Sequence, residues 1–196
     1  SAFDPEDWVL SAKNAGMKYL VLTAKHHDGF ANWPSRYTEF NCANTPWRNG
    51  EGNVVRDFIA ACRKHDMKPG LYYSPAQWGG TVDFADAAGY DEYFINQISE
   101  ILEPYGPIDI LWFDGCGSAD HEYDWPRITD HIRKLQPDVN IFSMGTDPNF
   151  TWVGNEAGIA PVPNWNTRVA DQGAPVDGTQ PVRWLPAECD CMMRFS

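Results

Sequence analysis

Four times between Pro5 and Ser143 the chain runs through one succession: apolar residues at helical spacing, a short linker, an apolar or β-branched run, then a polar loop rich in aromatics. The first helix is predicted from Pro5 to Ala15. Asp4 stands at its N-cap, Pro5 at its first helical position and Gly16 at its stop. The strand Lys18 to Ala24 (KYLVLTA) follows, and its near-continuous apolar character suits a strand covered on both faces. The next units pair a helix at Val54 to His65 with a strand at Lys68 to Tyr73, a helix at Asp91 to Leu102 with a strand at Ile108 to Phe113, and a helix at Trp125 to Leu135 with a strand at Val139 to Ser143. Such alternation requires parallel strands joined by crossover helices, which leaves a (β/α) barrel or an open doubly wound sheet.

What the strands carry at their ends separates these two. No G-x-G-x-x-G follows a strand and no G-x-x-x-x-G-K-[ST] occurs, so the usual nucleotide sites of an open sheet have no signature here. Instead His26, His27 and Asp28 follow the first strand, Tyr72 and Tyr73 end the second, and Trp112 and Asp114 end the third. In a barrel all of these converge on the carboxyl-end face, where that fold places its sites. An α/β fold of the TIM-like barrel type is therefore expected. Beyond Gly145 the periodicity fades into a loop-rich stretch, Thr146 to Val182, before one more short strand at Arg183 to Pro186. Four or five strands are legible, against about eight in a complete barrel of about 250 residues, so the barrel is expected to be incomplete.

Charge and cysteines narrow the partners. A net charge of −12 repels phosphate, so nucleic acid is not an expected partner. No run approaches the roughly 18 apolar residues of a membrane-spanning helix. The five cysteines have no C-x-x-C spacing, which indicates neither a zinc knuckle nor a disulfide framework, and Cys62 falls on the apolar face of its helix as a small buried hydrophobe.

The strand ends hold the candidate chemistry. Neutral imidazoles both donate and accept hydrogen bonds, which suits His26 and His27 to sugar hydroxyls. His26, His27 and Asp28 together are also a conceivable metal set, though adjacent residues rarely ligate one ion and no H-x-H or H-E-x-x-H accompanies them. Asp114 ends an apolar strand, where a carboxylate is costly unless it is paired or used, although Asp before Gly also suits a simple turn. Trp112, two residues back, shares its face and offers a flat wall to a pyranose ring. A glycosidase needs a second carboxyl, about 5–5.5 Å away in the retaining geometry. Glu156, among apolar and small residues, and Glu188, after the last predicted strand, are the two candidates, and spacing does not choose between them. Trp33, Trp78 and Trp165 fall in loops, where lining a pocket and packing beneath a loop are equally open.

The segments KHHDGF, GLYYS, LWFDG and WVGNE, in this order, resemble the α-L-fucosidases of glycoside hydrolase family 29. This resemblance implies a retaining mechanism on terminal α-L-fucose in a fucosylated oligosaccharide or glycoconjugate, with no metal and no organic cofactor. It implies that His26 and His27 bind fucose hydroxyls, that Tyr73, in preference to Tyr72, is an active-site tyrosine, that Trp112 packs near the sugar and that Asp114 is the nucleophile. WVGNE resembles the branch that prefers α-1,3/1,4-linked fucose, whose acid/base is this glutamate. That makes Glu156 the leading acid/base and Glu188 the reserve or a substrate-contact residue. Trp33 joins the candidate substrate-binding residues on its loop position alone. Residues 1–196 are then one partial catalytic domain, without the family's first strands and its last ones. A silent fucose-binding module and a metal-dependent barrel hydrolase are the alternatives. Glycan substrate and acidic surface lean towards a secreted or periplasmic protein, and the oligomeric state is left open.

Overall fold

The computed structural model describes residues 3–79, 82–118, 121–155, 157–160, 162, 167–169 and 182–189. Its frame is a four-stranded parallel sheet in the order β1 (Tyr19–Lys25), β2 (Lys68–Tyr73), β3 (Ile110–Phe113), β4 (Asn140–Phe142). Helices α1 (Pro5–Asn14), α2 (Val54–Lys64), α3 (Ala87–Leu102) and α4 (Trp125–Leu135) each precede one strand. This is the expected alternation, and strand order follows chain order as it does in a (β/α) barrel.

Local chemistry sets the helix ends. Asp4 Oδ1 accepts the N–H groups of Glu6 and Asp7, and Asn53 Oδ1 accepts that of Arg56, so both helices start on a side-chain cap. α3 begins four residues ahead of the predicted Asp91, because Asp86 caps it through the Gly89 N–H. Asp91 then lies inside the helix, and its carboxylate accepts the Asp124 N–H at the entrance to α4.

Alternation along the strands divides the side chains between two faces. Leu71 and Tyr73 of β2, Leu111 and Phe113 of β3 and Ile141 of β4 face the helices and join Val55, Phe58, Ile59, Cys62, Phe94, Ile98 and Ile132 in one core. Each such side chain, fully buried, contributes about 1.5–3 kcal/mol relative to exposure. Cys62 is the expected buried hydrophobe, and burial pushes its thiol up to about 12. The opposite face carries Tyr72, Trp112 and Phe142, aligned across three neighbouring strands. β1 departs from the expected full cover. Among the described residues it edges the sheet, and its residues from Tyr19 to Thr23 are only partly buried or exposed.

Beyond β4 the chain keeps the same sense. Phe150 bridges Phe142 in parallel, and β5 (Thr151–Trp152) pairs in parallel with β8 (Ala187–Glu188). Of the strand expected at Arg183 to Pro186, only Arg183 and Trp184 lie in one, and a second short strand follows just beyond Pro186. β7 (Val182–Trp184) pairs antiparallel with β6 (Thr167–Val169), and the parallel partner of β5 is Ala187–Glu188. Leu185 and Pro186 separate the pieces, since proline cannot donate to a sheet ladder.

Candidate active site

A β-bulge builds the site. The register of β1 on β2 shifts between Thr23 and Lys25, which inserts Ala24 and changes which face the following side chains take. Lys25 therefore turns into the helix side beside Tyr73. There its ammonium lies 4.3 Å from the Tyr73 ring centre, 3.1 Å from Gln77 Oε1 and 3.3 Å from the Tyr90 hydroxyl. Burial lowers its pKa to about 7 against the opposing pull of Asp28. His26 and His27 then fall on the site side, with ring centres 4.2 Å apart.

Asp114 is held at both carboxylate oxygens. Oδ2 accepts the Tyr72 hydroxyl at 2.7 Å and Oδ1 accepts the Cys116 N–H at 2.8 Å. His27 Nε2 stands 3.6 Å from Oδ2. The far side of that ring fixes its tautomer. Ser74 gives its one hydroxyl proton to Ala76 O at 2.8 Å, so at 2.5 Å its oxygen is left to accept from His27 Nδ1–H. Burial lowers the His27 pKa, with the Asp114 charge opposing it, so the ring is neutral and Nε2 presents a lone pair to the site. Burial, helped by the bond to Asp114, raises the Tyr72 pKa, which keeps its phenol protonated as a donor.

Aromatic rings line the wall beside Asp114. His26 stacks on Tyr72 at 5.7 Å and 7°, Tyr72 on Trp112 at 5.3 Å and 22°, and Trp112 on Phe142 at 4.0 Å and 17°. Stacked pairs of this kind add about 0.5–1.5 kcal/mol each beyond area burial, so the row is a rigid wall. Glu188 orients it. Its Oε1 accepts Trp112 Nε1–H at 2.9 Å and its Oε2 accepts the Tyr19 hydroxyl at 2.7 Å, which ties β8 to β1 and β3.

The structure thus gathers His26, His27, Trp112 and Asp114 at the strand ends, with Glu188 one residue away through Trp112. Two expectations are corrected. Tyr73 is fully buried on the opposite face, donates to Gln97 Oε1 at 2.8 Å and stacks on Phe94 at 5.0 Å; the tyrosine at Asp114 is Tyr72. Trp33 is 1 % exposed and packs in the core with its indole N–H on Glu100 Oε2 at 2.9 Å, so it belongs to the core and not to the wall beside Asp114. Glu156 and Trp165 lie outside the described residues. Asp28 is exposed, with Oδ1 accepting the Phe30 N–H, and among the described residues no three His, Cys, Asp or Glu side chains form a metal-binding group.

Sequence reasoning missed Ser74 and the Cys116 N–H. Ser74 directly follows the Tyr-Tyr pair and is a visible hydroxyl at a strand end. The Cys116 contact is the ordinary Asx turn of an Asp two residues upstream, the very feature that suggested a bland turn at Asp114.

Parallel strands with crossover helices, carrying a fixed carboxylate, imidazoles and stacked aromatics at their carboxyl ends, define part of a (β/α) barrel with a site on its ligand-binding face. The chain belongs to the alpha-L-fucosidase family, whose model matches residues 1–177. Alpha-L-fucosidase 1 of Arabidopsis thaliana is 36% identical over 217 residues, covering 99% of this chain and 41% of the relative. Tissue alpha-L-fucosidase of Homo sapiens is 32% identical over 124 residues, covering 58% of this chain and 25% of the relative. The crystal structure of a putative alpha-L-fucosidase from Bacteroides ovatus superposes with a TM-score of 0.83 at 36% identity, over 97% of this chain and 37% of that one. Alpha-L-fucosidase AlfC from Lactobacillus casei, solved with its alpha-L-fucose product, gives 0.67 at 32% identity, over 79% of this chain and 55% of that one. The chain spans about two fifths of the length of the plant relative.

Proposed function

We propose that the protein containing this chain is a retaining exo-α-L-fucosidase with Asp114 as nucleophile. The observation that carries this reading is the fixation of Asp114, whose two oxygens are held by Tyr72 and the Cys116 N–H beside the Nε2 lone pair of His27. Both donors hold the carboxylate in place, and each oxygen keeps a lone pair that can attack. A fucose hydroxyl donates to His27 Nε2, His26 meets a second, and the Tyr72 and Trp112 rings take an apolar face of the pyranose.

Two displacements at the anomeric carbon follow. Asp114 forms a bond to that carbon as the glycosidic oxygen leaves, taking a proton from the acid/base. Water then gives its proton to the same acid/base and attacks the carbon, which releases Asp114 and inverts the centre a second time. Glu156 is assigned as the acid/base. The chain leaves β5 at the same end of the sheet at which Asp114 leaves β3, and Glu156 is four residues past Trp152. The engagement of both Glu188 oxygens supports a positioning role for that residue. By resemblance to the WVGNE branch, the substrate is α-1,3/1,4-linked fucose on a glycan.

The test is hydrolysis of an aryl α-L-fucoside by the full-length protein, its Asp114→Ala and Glu156→Ala variants, with azide added. Steep losses in both, with α-fucosyl azide formed by Glu156→Ala after two inversions and β-fucosyl azide formed by Asp114→Ala after one, support the two roles. An inert wild type, or an unaffected Asp114→Ala, defeats the assignment.

A further inference from the structure

Trp78 is 66 % exposed, yet the chain around it is firmly placed. Its backbone N–H donates to His27 O at 2.6 Å. The next residue, Gly79, approaches so closely that a Cβ there would stand 2.6 Å from Asp28 O. The indole edge lies over Gly117, at φ +76, where a Cβ would come within 2.7 Å of Trp78 Nε1. Two backbone contacts and one on the indole edge thus hold in place a large ring that remains open to water.

What the ring faces gives the reason. Its centre is 4.5 Å from that of His27, the residue beside Asp114, so its surface continues the site outward. Across from it Phe40, 45 % exposed, is braced edge-on against Phe30 at 4.9 Å. Between them a cavity of about 490 Å³ is lined by His26, His27, Asp28, Phe40, Trp78 and Gly79. Two apolar walls with an imidazole and a carboxylate between them match a sugar ring, which has apolar C–H faces and a hydroxyl rim. They match a wholly apolar ligand poorly, because that would strand the Asp28 carboxylate.

We propose that Trp78 and Phe40 form a subsite for the sugar unit that carries the fucose, with Asp28 accepting one of its hydroxyls. This inference rests on the fucosidase reading, with His27 marking the boundary between the fucose and its neighbour. Trp78 is then a specificity-determining residue, acting on the leaving group.

The experiment compares two substrates of the full-length enzyme: α-L-fucosyl fluoride, whose leaving group carries no sugar, and a fucosylated disaccharide. For Trp78→Ala, kcat/KM on the disaccharide falls roughly tenfold more than on the fluoride, mainly through KM, and Trp78→Phe recovers most of the difference. Equal losses on both substrates, or none on either, overturn the subsite. So does a large fall in Tm, which would mark the ring as packing for another part of the protein. A wild type inert on the fluoride defeats the fucosidase reading instead. Calorimetric titration with the same disaccharide then decides the subsite: binding weakened in Trp78→Ala upholds it, and equal or absent binding in both proteins overturns it.

Discussion

The Tyr72 hydroxyl donates to Asp114 Oδ2 across 2.7 Å, joining the ends of β2 and β3, while the adjacent Tyr73 hydroxyl donates to Gln97 Oε1 on the other side of the sheet. Neighbouring tyrosines therefore make opposite predictions. Tyr72→Phe removes a charge-assisted hydrogen bond and lowers kcat/KM on an aryl α-L-fucoside by roughly 10- to 100-fold with little change in Tm. Tyr73→Phe leaves Gln97 Oε1 unpaired and costs about 1–3 kcal/mol in denaturant unfolding, with kinetics of the folded enzyme preserved. Reversed effects would return the active-site role to Tyr73.

Trp33 makes a similar case. Trp33→Phe keeps most of the packing but takes the donor from Glu100 Oε2, a buried carboxylate whose other oxygen accepts the Arg36 N–H at 2.7 Å. Stability should fall by about 1–3 kcal/mol, measured by urea unfolding, while KM is unaltered. A raised KM at unchanged stability would place the indole in the substrate pocket.

The His27 pKa is lowered from 6.5 by burial. As pH falls, the unfolded imidazole takes a proton before the folded one does. Stability from the neutral ring is thus fully present above about 6.5 and is lost as pH falls from there to the folded pKa. The acid side of the kcat/KM profile should carry the same group, since a protonated Nε2 cannot accept a sugar hydroxyl. Imidazole ¹⁵N NMR should find the neutral ring protonated at Nδ1, and Asp114→Asn should lower the pKa further by removing the charge that opposes burial. A proton on Nε2 would break the link to Ser74.

Lys25 gives a second pH signature of the same sign over a different range. With a folded pKa of about 7, against 10.5 for the ordinary side chain, the unfolded chain holds the extra proton between those values. Stability should therefore rise with pH above about 7, with a slope of up to about 1.4 kcal/mol per unit from this group. Lys25→Met should flatten that slope in urea titrations between about pH 7 and 9. An unchanged slope would mean that the ammonium keeps its proton beneath the tyrosine rings.

Much of this molecule was legible because its signals are local. Periodicity located four helices and four strands, since the spacing of apolar residues alone decides which backbone can bury them. Asp4 and Asn53 act through the next few residues, and Asp114 stood out as a carboxylate where an apolar strand ends. Order of elements, barrel type and the candidate nucleophile therefore belong to the sequence. Facing belongs to the tertiary structure. Whether Tyr72 or Tyr73 meets Asp114 depends on how β2 aligns with β3, and the turn of Lys25 away from His26 depends on one inserted residue at Ala24. Trp33 found Glu100 across 67 positions of chain, and Glu188 reached Trp112 across 76. No local pattern encodes such pairings. They exist because the pairing of the strands and the packing of α3 against them bring distant side chains to hydrogen-bonding distance, where leaving a buried carboxylate or indole N–H without a partner costs about 1–3 kcal/mol.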